Sequence, residues 1–116
     1  DIFQFAASDE TTALTTGTGK ITLPLPKAFK TLERVWLDVV SAPTGGPLTV
    51  DINAGGSTIF DADPSIAAGA TSVEITDTTT PALAVSTLAK RSLISVDIVS
   101  VTGSPTGLKV TFEGRV

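Results

Sequence analysis

Residues 48 to 53 alternate strictly: Leu48, Val50 and Ile52 point one way along an extended chain, and Thr49, Asp51 and Asn53 point the other. A period of two fits a half-buried β-strand and excludes an amphipathic helix. The same period returns at Ile94, Val96 and Ile98 and again at Leu108, Val110 and Phe112. Each stretch is cut short by a turn-forming cluster: Pro43-Thr44-Gly45-Gly46, Ala54-Gly55-Gly56 or Gly103-Ser104-Pro105-Thr106-Gly107. Composition agrees, because Thr (19), Val (11) and Ile (8) make up about a third of the 116 residues; these β-branched types lose side-chain freedom in a helix and fit a pleated sheet.

Further strands are expected at Ile2–Ala6, at Lys20–Pro26 and at Ser72–Thr76. Pro24 and Pro26 cannot donate to a ladder, which puts the Lys20–Pro26 strand at a sheet edge. Residues 32–40 satisfy both a helical and an alternating spacing; the β-branched and aromatic run Val35, Trp36, Val39 and Val40 decides for a strand. Ser57–Phe60 completes a hairpin with the 48–53 strand, and Ile66–Thr71 continues beyond the Asp61-Ala62-Asp63-Pro64 turn. Pro81 after Thr80 suits a short helix as well as a strand over Ala82–Val85, and the strand is preferred. The sum is eight or nine short strands about ten residues apart, an all-β, jelly-roll-like antiparallel β-sandwich of about eight strands forming one domain over residues 1–116. Leu48-Thr49-Val50-Asp51-Ile52 and Ile94-Ser95-Val96-Asp97-Ile98 share a pattern, each next to a Pro-Thr-Gly turn. Two similar strands account for this without a repeat architecture.

The chain has no Cys, His, Met or Tyr. That removes disulfides, thiolate or imidazole metal sites and the usual nucleophile–base pairs, so no catalytic, cofactor-binding or metal residue is assigned. A net charge of -4 with eight scattered cations argues against nucleic acid. No run of 18 apolar residues crosses a bilayer, yet a mean hydropathy of +0.33 leaves apolar surface for another protein to cover. The chain begins at Asp1, as a processed product or a piece of a longer protein would.

Carboxylates near turns are the only polar constellation of note: Asp51, Asn53, Asp61 and Asp63, with Asp9 and Glu10 elsewhere. Calcium takes such ligands, but Asp51-Ile52-Asn53-Ala54-Gly55-Gly56 fills only the first two positions of an EF-hand loop, and Asx turns account for the rest. A two-carboxylate glycosidase needs no His, but it ordinarily lines its cleft with aromatics, and one Trp and five Phe are few. Alternation turns Val35, Leu37 and Val39 inward and therefore turns Trp36 outward with Arg34, Asp38 and Val40. An outward Trp is covered by its own chain, stacks on a sugar, or belongs to a subunit contact, where Trp and Arg are enriched. Leu93 and Val99, also outward, favour the protein contact, since a sugar site would be more polar. Arg34, Trp36, Leu93 and Val99 are thus the interface candidates. Asp61, Asp63, Pro64, Asp77 and Thr79, in the stretches 61–69 and 77–81, are the candidates for exposed loop tips.

Several runs, read in order, resemble a module of tailed-bacteriophage virion proteins, among them tail-fibre, head-fibre and capsid-decoration proteins. They are Ala7-Ser8-Asp9-Glu10-Thr11-Thr12-Ala13-Leu14-Thr15, the stretch from Ser41-Ala42-Pro43-Thr44-Gly45 to Val50-Asp51-Ile52-Asn53, Ser57-Thr58-Ile59-Phe60, Val96-Asp97-Ile98 and Gly107-Leu108-Lys109-Val110. The resemblance spans nearly the whole chain, although its motifs are turns and core strands. It implies a jelly-roll-like sandwich, usually trimeric, on the virion surface, with phage capsid or tail proteins and bacterial surface glycans as partners and no active site. Where the family more often has Asn-Lys-Asn-Gly, this chain has Asn53-Ala54-Gly55-Gly56, which lowers the expectation of an anionic partner there. Thr102 before Gly103 lengthens that strand end, as a bulge would. The expectation is a non-enzymatic, trimeric virion surface protein, a capsid cement or a fibre module. The competing expectation is a carbohydrate-binding module of a secreted enzyme, with Trp36 as its stacking ring and Asp51 or Asp61 as acceptors.

Overall fold

A computed structural model describes all 116 residues as nine strands: β1 (Ile2–Ala6), β2 (Gly17–Pro24), β3 (Thr31–Asp38), β4 (Leu48–Ala54), β5 (Ser57–Thr58), β6 (Ser65–Ile66), β7 (Ser72–Thr76), β8 (Leu93–Ser100) and β9 (Lys109–Arg115). Pairing is antiparallel and nested from the chain ends inward: β1 with β9, β2 with β8, β3 with β7, and β4 with β5 and β6. Since β9 also pairs with β3 and β8 with β4, two sheets result, ordered β1-β9-β3-β7 and β2-β8-β4-β5, with β6 on β4. This is the strand order of a jelly roll.

The inward residues of both sheets meet as one cluster, with Val35, Leu37, Ile75, Val110 and Phe112 from the first and Leu48, Val50, Ile52, Ile94, Val96 and Ile98 from the second. Phe112 is its hub, its ring centroid 6.4 Å from Phe3, 5.9 Å from Phe5 and 6.4 Å from Phe29. Burying each such side chain contributes about 1.5–3 kcal/mol, so these alternating positions are what hold the two layers together.

The connections gather at two ends. At one end Leu14 N–H donates to Pro105 O, Thr44 N–H to Thr102 O and Gly69 N–H to Pro43 O, which brings both Pro-Thr-Gly turns side by side. A side chain at Gly107 would collide with Val40, so this packing requires glycine there. At the other end Phe29 and Leu88 exchange backbone hydrogen bonds, Arg91 N–H donates to Leu25 O and Lys30 N–H to Arg115 O.

The stretch 32–40 is a strand as expected as far as Asp38, in β3 and central in its sheet, with Val39 and Val40 beyond the strand's end, and β2 is an edge strand as Pro24 requires. Ala82–Val85 is neither strand nor helix: Leu83 makes an isolated bridge to Phe60, and the Asp61 carboxylate accepts the Ala82 N–H at 2.9 Å, which holds this stretch across the open end of the sandwich. The Ser57–Phe60 and Ile66–Thr71 strands shrink to two residues each, β5 and β6, at opposite ends of β4. The irregularity expected at Thr102 lies earlier, since Thr49 faces Ser100 and Val50 faces Ile98, leaving Val99 as the extra, bulged residue of β8.

Candidate functional site

Two outward sheet faces carry the side chains that the core leaves free. On the four-stranded sheet the ladder lines up Gln4, Thr111, Trp36 and Glu74 in one row across β1, β9, β3 and β7. Trp36 is partly buried in the middle of that row. Gln4 Nε2 donates to Thr111 Oγ1 at 2.9 Å, and Thr111 is the one buried polar residue of the chain. Two residues along β3, Arg34 spans its neighbours: its guanidinium bonds Glu113 on β9, and its Nε lies 3.2 Å from Glu74 Oε2 on β7 without the alignment of a hydrogen bond. Its charge is therefore already paired within the subunit, a half-exposed network of modest strength.

Beside this row, Arg34 also borders an open groove of about 440 Å³ with Thr31, Thr76, Asp77, Thr78 and Ser86. The structure thus joins Arg34 to the exposed tip residue Asp77. Thr79 is not free for a partner, because its hydroxyl donates to the Pro81 carbonyl at 2.7 Å, with the Thr76 carbonyl 3.1 Å away, and accepts the Thr76 N–H, folding the turn.

The outward face of the five-stranded sheet is acidic. Asp51 on β4 stands directly opposite Asp97 on β8. Like charges in that relation cost about 0.2–1 kcal/mol. Asp97 is held by the Gly19 N–H at 2.7 Å and by Asn53 Nδ2 at 3.1 Å, and Asp51 accepts the Thr58 hydroxyl. Gly19 reaches Asp97 because β2 carries two extra residues between the positions facing Ile98 and Val96. Desolvation, and after it the charges of Asp51 and Asp97, push the Asp63 carboxyl above the ordinary range. A pocket of about 340 Å³ lies over the pair, lined by Thr16, Gly17, Thr18 and the exposed Val99.

The interface candidates therefore do not form one patch. Arg34 and Trp36 lie on one sheet, and Leu93 (56% exposed) and Val99 (48% exposed) lie on the other, at opposite ends of β8. Leu93 and Val99 consequently say nothing about the surroundings of Trp36, which are polar. Of the expected loop tips, Asp61, Asp63 and Asp77 are exposed, but Pro64 is buried, its carbonyl accepting the Val50 N–H. The expected carboxylate cluster is also regrouped: Asp61 serves Ala82, Asp9 closes an Asx turn on Thr11 and Thr12, and no set of three or more acidic side chains is arranged to hold a metal ion. The missing partner, Asp97, was signalled only by its matching pattern with Asp51.

Comparison with family models, with curated proteins and with solved structures finds no match to this chain. The likeness to phage virion modules rests on the residues quoted for it.

Proposed function

We propose that this chain is a non-enzymatic bacteriophage virion surface module, a homotrimer serving as capsid cement or as a head- or tail-fibre unit. The observation that carries the reading is the exposure of Leu93 and Val99 on the outward face of the five-stranded sheet, where a side chain of that kind gains from being covered. A jelly roll with exposed apolar side chains on one face and an aromatic ring on the other suits a ring of copies, in which each subunit offers two different surfaces to its neighbours. Sedimentation equilibrium tests it: three copies per particle are expected, with Leu93→Ser and Val99→Ser shifting the protein toward single subunits. Monomers at every concentration would reject the proposal.

The polar row around Trp36 favours a second reading, a carbohydrate-binding module in which the ring stacks on a sugar and Gln4 and Glu74 supply hydrogen bonds. Asp51 and Asp61 cannot serve Trp36, because Asp51 lies on the opposite sheet and Asp61 bonds the Ala82 N–H. Binding on a glycan array that Trp36→Ala abolishes, by a protein that sediments as a monomer, would establish this reading in place of the first.

A further inference from the structure

The charges of this chain are sorted in space. Lys27 pairs with Asp1, Arg34 with Glu74 and Glu113, and Lys109 with Glu10, while Lys20 donates to Thr15. Lys30, Lys90, Arg91 and Arg115 make no ion pair, and all four are exposed. They gather at one end of the sandwich, where the Lys30 N–H meets the Arg115 carbonyl and the Lys90-Arg91 turn is tied to Leu25. Arg91 stands out on backbone grounds. Its φ is +69°, and every other residue with positive φ is a glycine. A side chain in that region costs about 1–2 kcal/mol, so a cation is kept where the backbone favours glycine, and such an outlier points to a use for the side chain.

The complementary surface is the acidic face of the five-stranded sheet. Asp51 and Asp97 are set opposite one another with Asp63 close by, and none of the three has a cation within ion-pair distance. Lys20, on the neighbouring strand, is turned to Thr15. Each surface has exposed apolar side chains beside it: Val99 borders the acids, while Leu93 lies two residues after Arg91 and Val116 follows Arg115.

We infer that the occupant of the acidic face is a second copy of this chain, whose Lys30–Lys90–Arg91–Arg115 corner docks over Asp51, Asp63 and Asp97. A sheet face and a sandwich end are different surfaces, so the contact is head-to-tail, and three copies form a ring where the rotation from one to the next is a third of a turn. This rests on the homo-oligomer proposed above and supplies its contact surfaces.

Arg91→Gly is the sharpest probe, because it removes the cation and relieves the backbone together. The expected result is a higher urea midpoint for the subunit alongside a rise of about tenfold or more in the dissociation constant, measured by sedimentation equilibrium. A Lys90→Glu, Arg91→Glu chain should dissociate further, and adding Asp51→Lys and Asp63→Lys to that same chain should restore the oligomer, since both halves are then reversed. Circular dichroism of each variant checks folding. A wild-type trimer unaffected by 0.5 M salt and by both charge-reversed chains would overturn this contact and leave the trimer reading intact, whereas a wild-type monomer would overturn both. If the Lys90→Glu, Arg91→Glu chain stays trimeric but no longer binds an anionic polysaccharide column, the corner serves a glycan and the inference fails.

Discussion

Gly114 lies in β9 where three strands meet. Its N–H donates to the Asp1 carbonyl at 3.0 Å, its own carbonyl accepts the N-terminal ammonium, and across the ladder it faces Leu32, next to the extra residue Glu33 of β3. A Cβ built there would sit 2.0 Å from the Thr31 carbonyl oxygen and 3.1 Å from the Leu32 Cα. Both obstacles are backbone and cannot rotate away. For Gly114→Ala, β3 and β9 must therefore separate by more than an ångström at this point, giving up the pairing of Thr31 with Arg115 and of Leu32 with Gly114. Overpacking of this kind costs about 1–3 kcal/mol, and each ladder bond lost adds about 1 kcal/mol. Reduced freedom of the unfolded chain returns only about 0.4–1 kcal/mol, so the net loss is expected near 3 kcal/mol. Gly56→Ala is the control, since its Cβ meets nothing within 4 Å and only its φ of +89° opposes a side chain, at about 1 kcal/mol. Urea unfolding followed by Trp36 fluorescence reads both. A Gly114→Ala protein within 0.5 kcal/mol of wild type would refute the close approach of β3 and β9, and with it the bulge at Glu33.

Phe112→Ala removes the ring shared by Phe3, Phe5 and Phe29, and a loss of about 3–5 kcal/mol is expected in the same urea assay. Backbone and side-chain hydrogen bonds from Thr12, with the Thr11 N–H, hold Asp9 below the usual carboxylate range, so its contribution is present above the unfolded value and lost as pH falls through the folded one. Asp9→Asn should accordingly flatten the acid limb of a stability–pH curve, and an unchanged limb would remove Asp9 from it. Asp63 has the opposite sign: its raised carboxyl opposes folding while ionised and is relieved as pH falls through its folded value, so Asp63→Asn should gain stability at pH 7 and gain nothing in acid. Asp51→Asn should stabilise the subunit by about 0.2–1 kcal/mol at low salt and by less at 0.5 M; a gain that is independent of salt would mean the carboxylates do not repel.

The layers of the fold were legible because each long strand declares its buried side. Val50, Ile52, Val96, Ile98, Val110 and Phe112 are buried as their alternation requires, and the β-branched and aromatic Val35, Trp36, Val39 and Val40 decide against a helix and for a strand, in which Val35 and Leu37 are buried. Short edge segments carried no such signal. β5 and β6 are two residues long, and residues 82–85 are placed by the Asp61 carboxylate and by Phe60, both distant in sequence. Pro64 reads as a turn residue because it lacks a donor, yet its carbonyl completes the ladder to Val50 and so it is buried.

For the site, alternation tells inside from outside on one strand but not which sheet that strand joins. Trp36, Leu93 and Val99 face outward as the alternation implies, and only the pairing of β3 with β7 and β9, and of β8 with β2 and β4, separates them onto opposite faces. The likeness between residues 48–52 and 94–98 gains physical meaning from that pairing. Antiparallel register, which sets Asp51 against Asp97 and Val50 against Ile98, is fixed from Val50 onward by the inward Val50, Ile52, Val96 and Ile98. A slip of one residue would relieve the two carboxylates, but it would turn the inward side chains of the slipped strand, Val50 and Ile52 on β4 or Val96 and Ile98 on β8, to water. Two apolar side chains at about 1.5–3 kcal/mol each outweigh a repulsion of at most about 1 kcal/mol. The acidic pair is thus imposed by the core beneath it, and a bound cationic surface, if one covers it, relieves a cost that the fold cannot remove by itself.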